Sequence, residues 1–240
     1  MENPFLREEM LLGPSAMETL RSSHVMVFGI GGVGSYAVEG LARAGIGALT
    51  LVDYDTVSIT NLNRQLCALH STLGHFKADV MAERVLDINP SCRVTALCRL
   101  YNEESKESFF TSPCHFIVDA IDLVSCKLSL ILAAQSHGIP ILSAMGTGNK
   151  LDPHQFEIAD ISETKGCHLA RVMRKELRKR GILHHTVLYS REEPLQPSQP
   201  ETPPPGRRSI PGSLSWVPSC AGLMMAGYVV KALIRSAGDS

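Results

Sequence analysis

The chain has 240 residues, of which 44% are hydrophobic and 20% charged, with a formal net charge of −1; such a chain can bury a substantial core. The near-neutral balance excludes a protein that coats nucleic acid over its whole surface, though not one with a local basic patch. Seven cysteines without a single C-x-x-C pair speak against a disulfide framework and a tetrathiolate zinc, so a reducing, cytoplasmic setting is expected.

Residues 1–24 form an N-terminal arm, read as a polar helix whose Phe5, Met10, Leu11 and Leu12 can dock on a neighbour. The opening residues are charged and contain Pro4, so no signal peptide is expected. Residues 25–30, apolar and rich in β-branched types, predict a buried parallel strand. Gly29, Gly31 and Gly34 follow at G-x-G-x-x-G spacing, with an extra Gly32. Gly29 permits a tight turn, Gly31 lets backbone approach phosphate oxygens, and Gly34 lets the next helix pack closely on the strand. That helix carries Val33, Ala37, Val38, Leu41 and Ala42 at helical spacing, and the free amides of its first turn attract anions. A second strand over 49–52 ends at Asp53, about twenty residues past the glycines, where a carboxylate can bind ribose hydroxyls. Residues 25–150 therefore predict a nucleotide-binding region.

The glycines and Asp53 do not say which nucleotide. The loop after them holds Asp53, Asp55, Asn61, Asn63 and Arg64 together. A guanidinium that neutralises phosphates suits nucleotidyl transfer, whereas hydride transfer has no use for one. Asn61 and Asn63 either position phosphates or cap the loop.

A helix is predicted over 73–88, with Lys77 and Asp79 in its first turns. A lysine there gains nothing from the helix dipole, so Lys77 is either solvated or serves the site. A strand over 93–100 and a short helix over 103–110 come next. A fourth strand over 116–120 leads to Asp119 and Asp122 at its carboxyl end, where open α/β sheets bind ligands. One of these carboxylates could hold Mg²⁺, and Asp119 could equally be a cap. A helix over 125–137 has Lys127 in its first turn, facing the same strand ends, and a fifth strand spans 141–144. Such β-α repeats predict an α/β, Rossmann-like, doubly wound and mostly parallel sheet.

Residues 151–240 extend the same domain with further strand and helix segments. A strand is predicted over 156–161 and another over 187–189. Between them, residues 168–181 form a helix with Arg171, Arg174, Lys175, Arg178, Lys179 and Arg180 against Glu176 alone. It is either a solvated amphipathic face or a surface for a phosphate backbone. Residues 192–215 are Pro- and Ser-rich and read as a flexible loop or lid. The apolar run over 220–234 is interrupted by Lys231 and falls short of the roughly 20 residues of a membrane span.

The G-x-G-G-x-G turn, D-x-D and N-x-N-R-Q resemble the E1-like adenylating superfamily. The LARAGIG helix end, the INP after the Lys77 helix, the RVMRKELRKRGI helix and the missing zinc cysteines narrow the likeness to tRNA threonylcarbamoyladenosine dehydratases, over essentially the whole chain. The resemblance implies that ATP binds on Gly29, Gly31, Gly32, Gly34, Asp53, Asp55, Asn61, Asn63, Arg64, Lys77 and Lys127. It implies Mg²⁺ on Asp122, and Arg64, Lys77, Asp122 and an Arg7 reaching from a dimer partner as catalytic groups. Arg7 also reads as a surface arginine paired with Glu8 or Glu9. The implied partners are tRNA, a second copy of the chain and a sulfur-transfer protein, with no zinc. Cys220 reads either as a sulfur or acyl acceptor or as a small buried hydrophobe. The other reading the superfamily offers is adenylation of the C-terminus of a ubiquitin-like or sulfur-carrier protein.

Overall fold

The structure is a computed structural model that describes residues 3–198 and 210–238. One seven-stranded sheet runs through it in the order β3-β2-β1-β4-β5-β7-β6. The strands are β1 (His24–Phe28), β2 (Ala48–Val52), β3 (Arg93–Leu97), β4 (Phe116–Asp119), β5 (Ile141–Ala144), β6 (Phe156–Asp160) and β7 (Thr186–Ser190). All neighbours pair in parallel except β6 and β7, so the edge strand runs against the rest. Chain order reverses between β1 and β4, which places a crevice at their carboxyl ends. Phe28 pairs with Asp119 across it.

The helices are α1 (Leu6–Leu12), α2 (Pro14–Ser22), α3 (Gly34–Arg43), α4 (Lys77–Ile88), α5 (Val124–Ser136), α6 (His168–Arg178) and α7 (Trp216–Gly238). The N-terminal arm is thus two helices broken at Gly13, because Pro14 cannot continue a helix but starts one well. Residues 103–110 hold only a four-residue 3-10 turn.

One face of the sheet packs against α2, α3, α4 and α7 through Met17, Leu41, Met81 and Val229, all fully buried. The other packs against α5 and α6 through Ile131, Met173 and Leu177. Each such aliphatic side chain contributes about 1.5–3 kcal/mol by leaving water.

Helix α7 is longer than the sequence pattern predicts. By length and composition it is long and apolar enough to cross a membrane, and in this fold Val217, Ala221, Met225, Val229 and Leu233 line a face buried against the domain. Its contact with α3 is a seam of small residues. A Cβ on Gly40 would come within 2.6 Å of Ala226 Cβ, and one on Gly222 within 2.3 Å of Val33 O. The close approach brings Pro218 of α7 over the glycine turn.

Candidate active site

A cavity of about 450 Å³ opens at the reversal point between β1 and β4. Its floor is the turn 29–33. Gly29 adopts φ +86°, and a Cβ there would lie 2.6 Å from Ala120 O. A Cβ on Gly34 would lie 1.8 Å from Gly29 O, so Gly34 serves the strand–helix contact and does not line the cavity, unlike Gly29, Gly31 and Gly32. The backbone amides of Gly31, Gly32 and Val33 donate to no backbone acceptor among the described residues. They sit just before α3, where its dipole adds to their pull on an anion.

Asp53 ties this turn to the end of β2. Its Oδ2 accepts from Ile30 N at 2.6 Å and its Oδ1 from Asp55 N at 2.8 Å. Burial pushes the carboxyl above the usual carboxylate range, opposed by the Lys77 ammonium and these two amides. Asp55 pairs with Lys77 Nζ at 2.8 Å. Lys77 is buried and lines the cavity with Asp53 and Asp55, so it is no solvated lysine.

Arg64 also lines the cavity. Its stem lies over the glycines, with Cγ 3.6 Å from where a Cβ on Gly32 would stand. Nη1 donates to Thr60 O and Asn63 Oδ1, both at 3.0 Å. Burial lowers the guanidinium below its ordinary value, yet a group that basic stays charged.

The two asparagines part company. Asn61 lines the cavity while its Oδ1 accepts from Ser58 N, capping the loop. Asn63 lies outside the lining: its Nδ2 donates to Ser213 O at 2.9 Å, and it links Arg64 to the far end of the proline-rich segment.

Lys127 is a correction. It is fully buried, 2.9 Å from Asp119 Oδ2, and donates to Ile121 O at 3.0 Å. It lies beneath the loop after β4 and does not reach the cavity, because β4 ends on the buried Asp119. That carboxylate is also a cap, accepting from Ile121 N at 3.1 Å.

Arg174 is half-buried, and its Nη1 donates to Ile161 O, Thr164 O and Thr164 Oγ1, so it pins the turn before α6. Lys179 and Arg180 share Glu176. Arg171, Lys175 and Arg178 remain exposed on one side of the helix.

Arg7 is exposed on α1 and lies outside this chain's cavity. Among the described residues, neither Glu8 nor Glu9 forms an ion pair with it. Cys220, half-buried, does not line the cavity either. The centre of the proline-rich segment, 199–209, lies outside the described residues. Its flanks are anchored, since Leu195 N donates to Asn149 O, and Gly212 exchanges two hydrogen bonds with Asn149.

Sequence reasoning passed over Gln65, Tyr54, Arg99, Tyr101, Thr147 and Pro218, all in the lining. Gln65 had a signal, standing next to Arg64. Arg99 and Tyr101 follow β3, and only the strand order shows that its carboxyl end reaches the crevice.

Asp122 is exposed at the cavity rim. No cluster of three or more His, Cys, Asp or Glu side chains able to hold a metal occurs among the described residues. The donor set therefore fits Mg²⁺ only as an ion shared with nucleotide phosphates, since that cation takes one or two carboxylates and keeps waters.

The chain is 43% identical over 244 residues to a Bacillus subtilis tRNA threonylcarbamoyladenosine dehydratase, covering 98% of this chain and 96% of that protein. The fold superposes with a TM-score of 0.89 on an Escherichia coli tRNA N6-threonylcarbamoyladenosine dehydratase solved in complex with ATP. That match has 33% identity and covers 98% of this chain and 96% of the other. An Escherichia coli molybdopterin-synthase adenylyltransferase is 32% identical over 126 residues, which are 52% of this chain and 50% of that protein. Residues 5–239 match the ThiF family throughout, and with the glycine turn, the Asp53 tie and the cavity arginine in place, the chain belongs to that family.

Proposed function

We propose that the protein is an ATP-dependent tRNA threonylcarbamoyladenosine dehydratase, which activates the nucleoside's carboxylate as an acyl adenylate and cyclises it. The carrying observation is Arg64, anchored by Thr60 and Asn63 with its stem over the glycine turn, inside the cavity. A fixed cation there offsets charge at transferring phosphates without reorganising. The likeness in length and sequence to the Bacillus protein supports the substrate class.

On this reading the phosphates of ATP lie against the amides of Gly31 and Gly32, and its ribose lies by Asp53. A carboxylate oxygen of the substrate bonds to the α-phosphorus and pyrophosphate leaves with the electron pair of the broken P–O bond. Arg64 and Lys77 face the charge that builds there. Asp122 would hold Mg²⁺ together with the phosphates, and the ion would supply further neutralisation. A nucleophilic atom of the carbamoyl arm then attacks the activated carbonyl and loses its proton, closing a five-membered ring and expelling AMP. Being intramolecular, that step gains effective molarities up to about 10⁵ M or more. The net change in the nucleoside is the loss of one water.

A homodimer belongs to this reading. Leu6, Met10 and Leu11 of the N-terminal arm and Leu223 and Met224 of α7 are large apolar side chains exposed to solvent, which supports a second copy covering them and bringing Arg7 to the neighbouring cavity. Free thiols at all seven cysteines suit a cytoplasmic location.

The test is to incubate the protein with ATP, Mg²⁺ and modified tRNA and to follow nucleoside mass. A mass lower by one water, with AMP and pyrophosphate released in step, is the expected result. An unchanged nucleoside, with a small carrier protein adenylated at its C-terminus instead, would replace this reading.

A further inference from the structure

The nucleotide cavity continues into a second one of about 430 Å³. The two share seven lining residues, among them Val33, Arg64, Asp122, Thr147 and Ser213, so Arg64 and Asp122 stand at their common boundary. The second cavity is walled by Met145 after β5, by Leu169 on the first turn of α6, and by Pro194 and Pro211 from the two flanks of the proline-rich segment. Those flanks are tied to the segment after β5. Lys150 Nζ donates to Glu192 O, and the Glu192 carboxylate accepts from Leu151 N and Asp152 N at 2.9 and 3.0 Å. The walls are therefore pre-formed.

His168, the first residue of α6, is exposed on the lining, and its Nδ1 lies 2.8 Å from Arg171 Nη2. Lys175 and Arg178 continue from Arg171 at i+4 and i+7, both exposed. A row of cations thus starts at the cavity and runs about 10 Å along the helix, at 1.5 Å rise per residue.

We propose that this second cavity is the nucleoside site. It takes the purine of the carboxylate-bearing nucleoside, with the imidazole of His168 against the base and the acyl arm crossing the shared boundary to Arg64. Phosphates beside that nucleoside lie along Arg171, Lys175 and Arg178. The proposal rests on the function given above and adds where the substrate sits.

Three features carry it. The volume is close to that of the nucleotide cavity, and apolar walls with one polar ring suit a planar base. RNA is read by splaying unpaired bases onto aromatic, His or Arg planes, and chemistry on a base needs it out of the stack. The proline walls offer no N–H of their own, so Pro194 and Pro211 present apolar rings toward a base.

The experiment uses the full chain, with the free threonylcarbamoylated adenosine nucleoside as probe. Its Kd is measured by saturation-transfer NMR or dialysis, beside the Kd for ATP and the KM for modified tRNA, in His168→Ala and Leu169→Trp. We expect His168→Ala to raise the nucleoside Kd and the tRNA KM about tenfold, and Leu169→Trp to abolish nucleoside binding. The ATP Kd should stay within twofold in both. Unchanged nucleoside Kd and KM in both variants would overturn the proposal. Should Leu169→Trp not fold, His168→Ala decides alone, since that side chain is on the surface. A wild-type protein that binds ATP but leaves the nucleoside of modified tRNA unconverted would overturn the functional reading itself, and that result needs no variant.

Discussion

Lys127 Nζ lies 2.9 Å from Asp119 Oδ2, both side chains are fully buried, and the same ammonium donates to Ile121 O. The pair thus fixes the backbone that leads to Asp122 at the cavity rim. Removing one partner leaves a buried charge uncompensated, so Lys127→Met should lose about 3–5 kcal/mol of stability. The double variant with Asp119→Leu should recover part of that loss. Urea unfolding of the two variants checks this; equal stability of Lys127→Met and wild type would mean that water reaches the pair.

Arg64→Ala should lower kcat for pyrophosphate release by about 10²–10³, with little change in thermal midpoint. Arg64→Lys should restore only part of it, because an ammonium cannot hold Thr60 O and Asn63 Oδ1 while presenting a flat second edge. Asn63→Ala cuts the link from Arg64 to Ser213 O. Losing two hydrogen bonds of about 0.5–1.5 kcal/mol each, it should lower kcat while leaving the Kd for ATP near wild type. Wild-type turnover in Arg64→Ala would remove that side chain from the chemistry.

His185 is buried beside Asp119 and Lys127, with its Nε2 2.8 Å from Ser143 Oγ. Burial drives its pKa down to about 4 from 6.5; the nearby Asp119 opposes this and Lys127 adds to it. The unfolded chain therefore binds the proton at higher pH than the folded one. The stability that neutral His185 contributes is full above about pH 6.5 and is lost as pH falls toward 4, roughly 3 kcal/mol in all. Unfolding free energies of wild type and His185→Gln between pH 4 and 7 should converge on acidification. Parallel curves would show that the folded imidazole takes up its proton at the same pH as in the unfolded chain.

On α6 the cations should separate by role. Arg174→Ala removes three hydrogen bonds to Ile161 and Thr164, so it should lower the thermal midpoint and leave the salt dependence of tRNA binding unchanged. Lys175→Glu and Arg178→Glu, at exposed positions, should weaken tRNA binding and flatten the plot of log K against log salt, by about one unit for each phosphate no longer neutralised. Filter binding across a salt series reads both. An unaltered slope in Lys175→Glu and Arg178→Glu would place the tRNA on another surface.

What the sequence determined by itself is local. The glycine spacing, the β-branched run before it and the acid after the second strand specify a strand–turn–helix whose backbone must pass within contact distance, as the Gly29–Ala120 and Gly34–Gly29 approaches bear out. Period and run length distinguish strand from helix because each element repeats its own buried face. The cavity residues that come from 53–65 were legible for the same reason, as they share one loop.

Tertiary structure decided which charged side chains face the cavity and which lie beneath it. Lys127 and Lys77 both stand in the first turn of a helix near strand ends, and nothing local tells them apart. One has a buried carboxylate at the end of β4 within 2.9 Å, the other a carboxylate on the cavity wall at 2.8 Å. Likewise Arg174 and Lys175 are neighbours in a basic run, yet the helix turns one toward the carbonyls at Ile161 and Thr164 and the other to water. A buried charge must find a partner wherever the fold supplies one, and such partners, at sequence separations from 8 to 22 residues, exist only after the elements have packed.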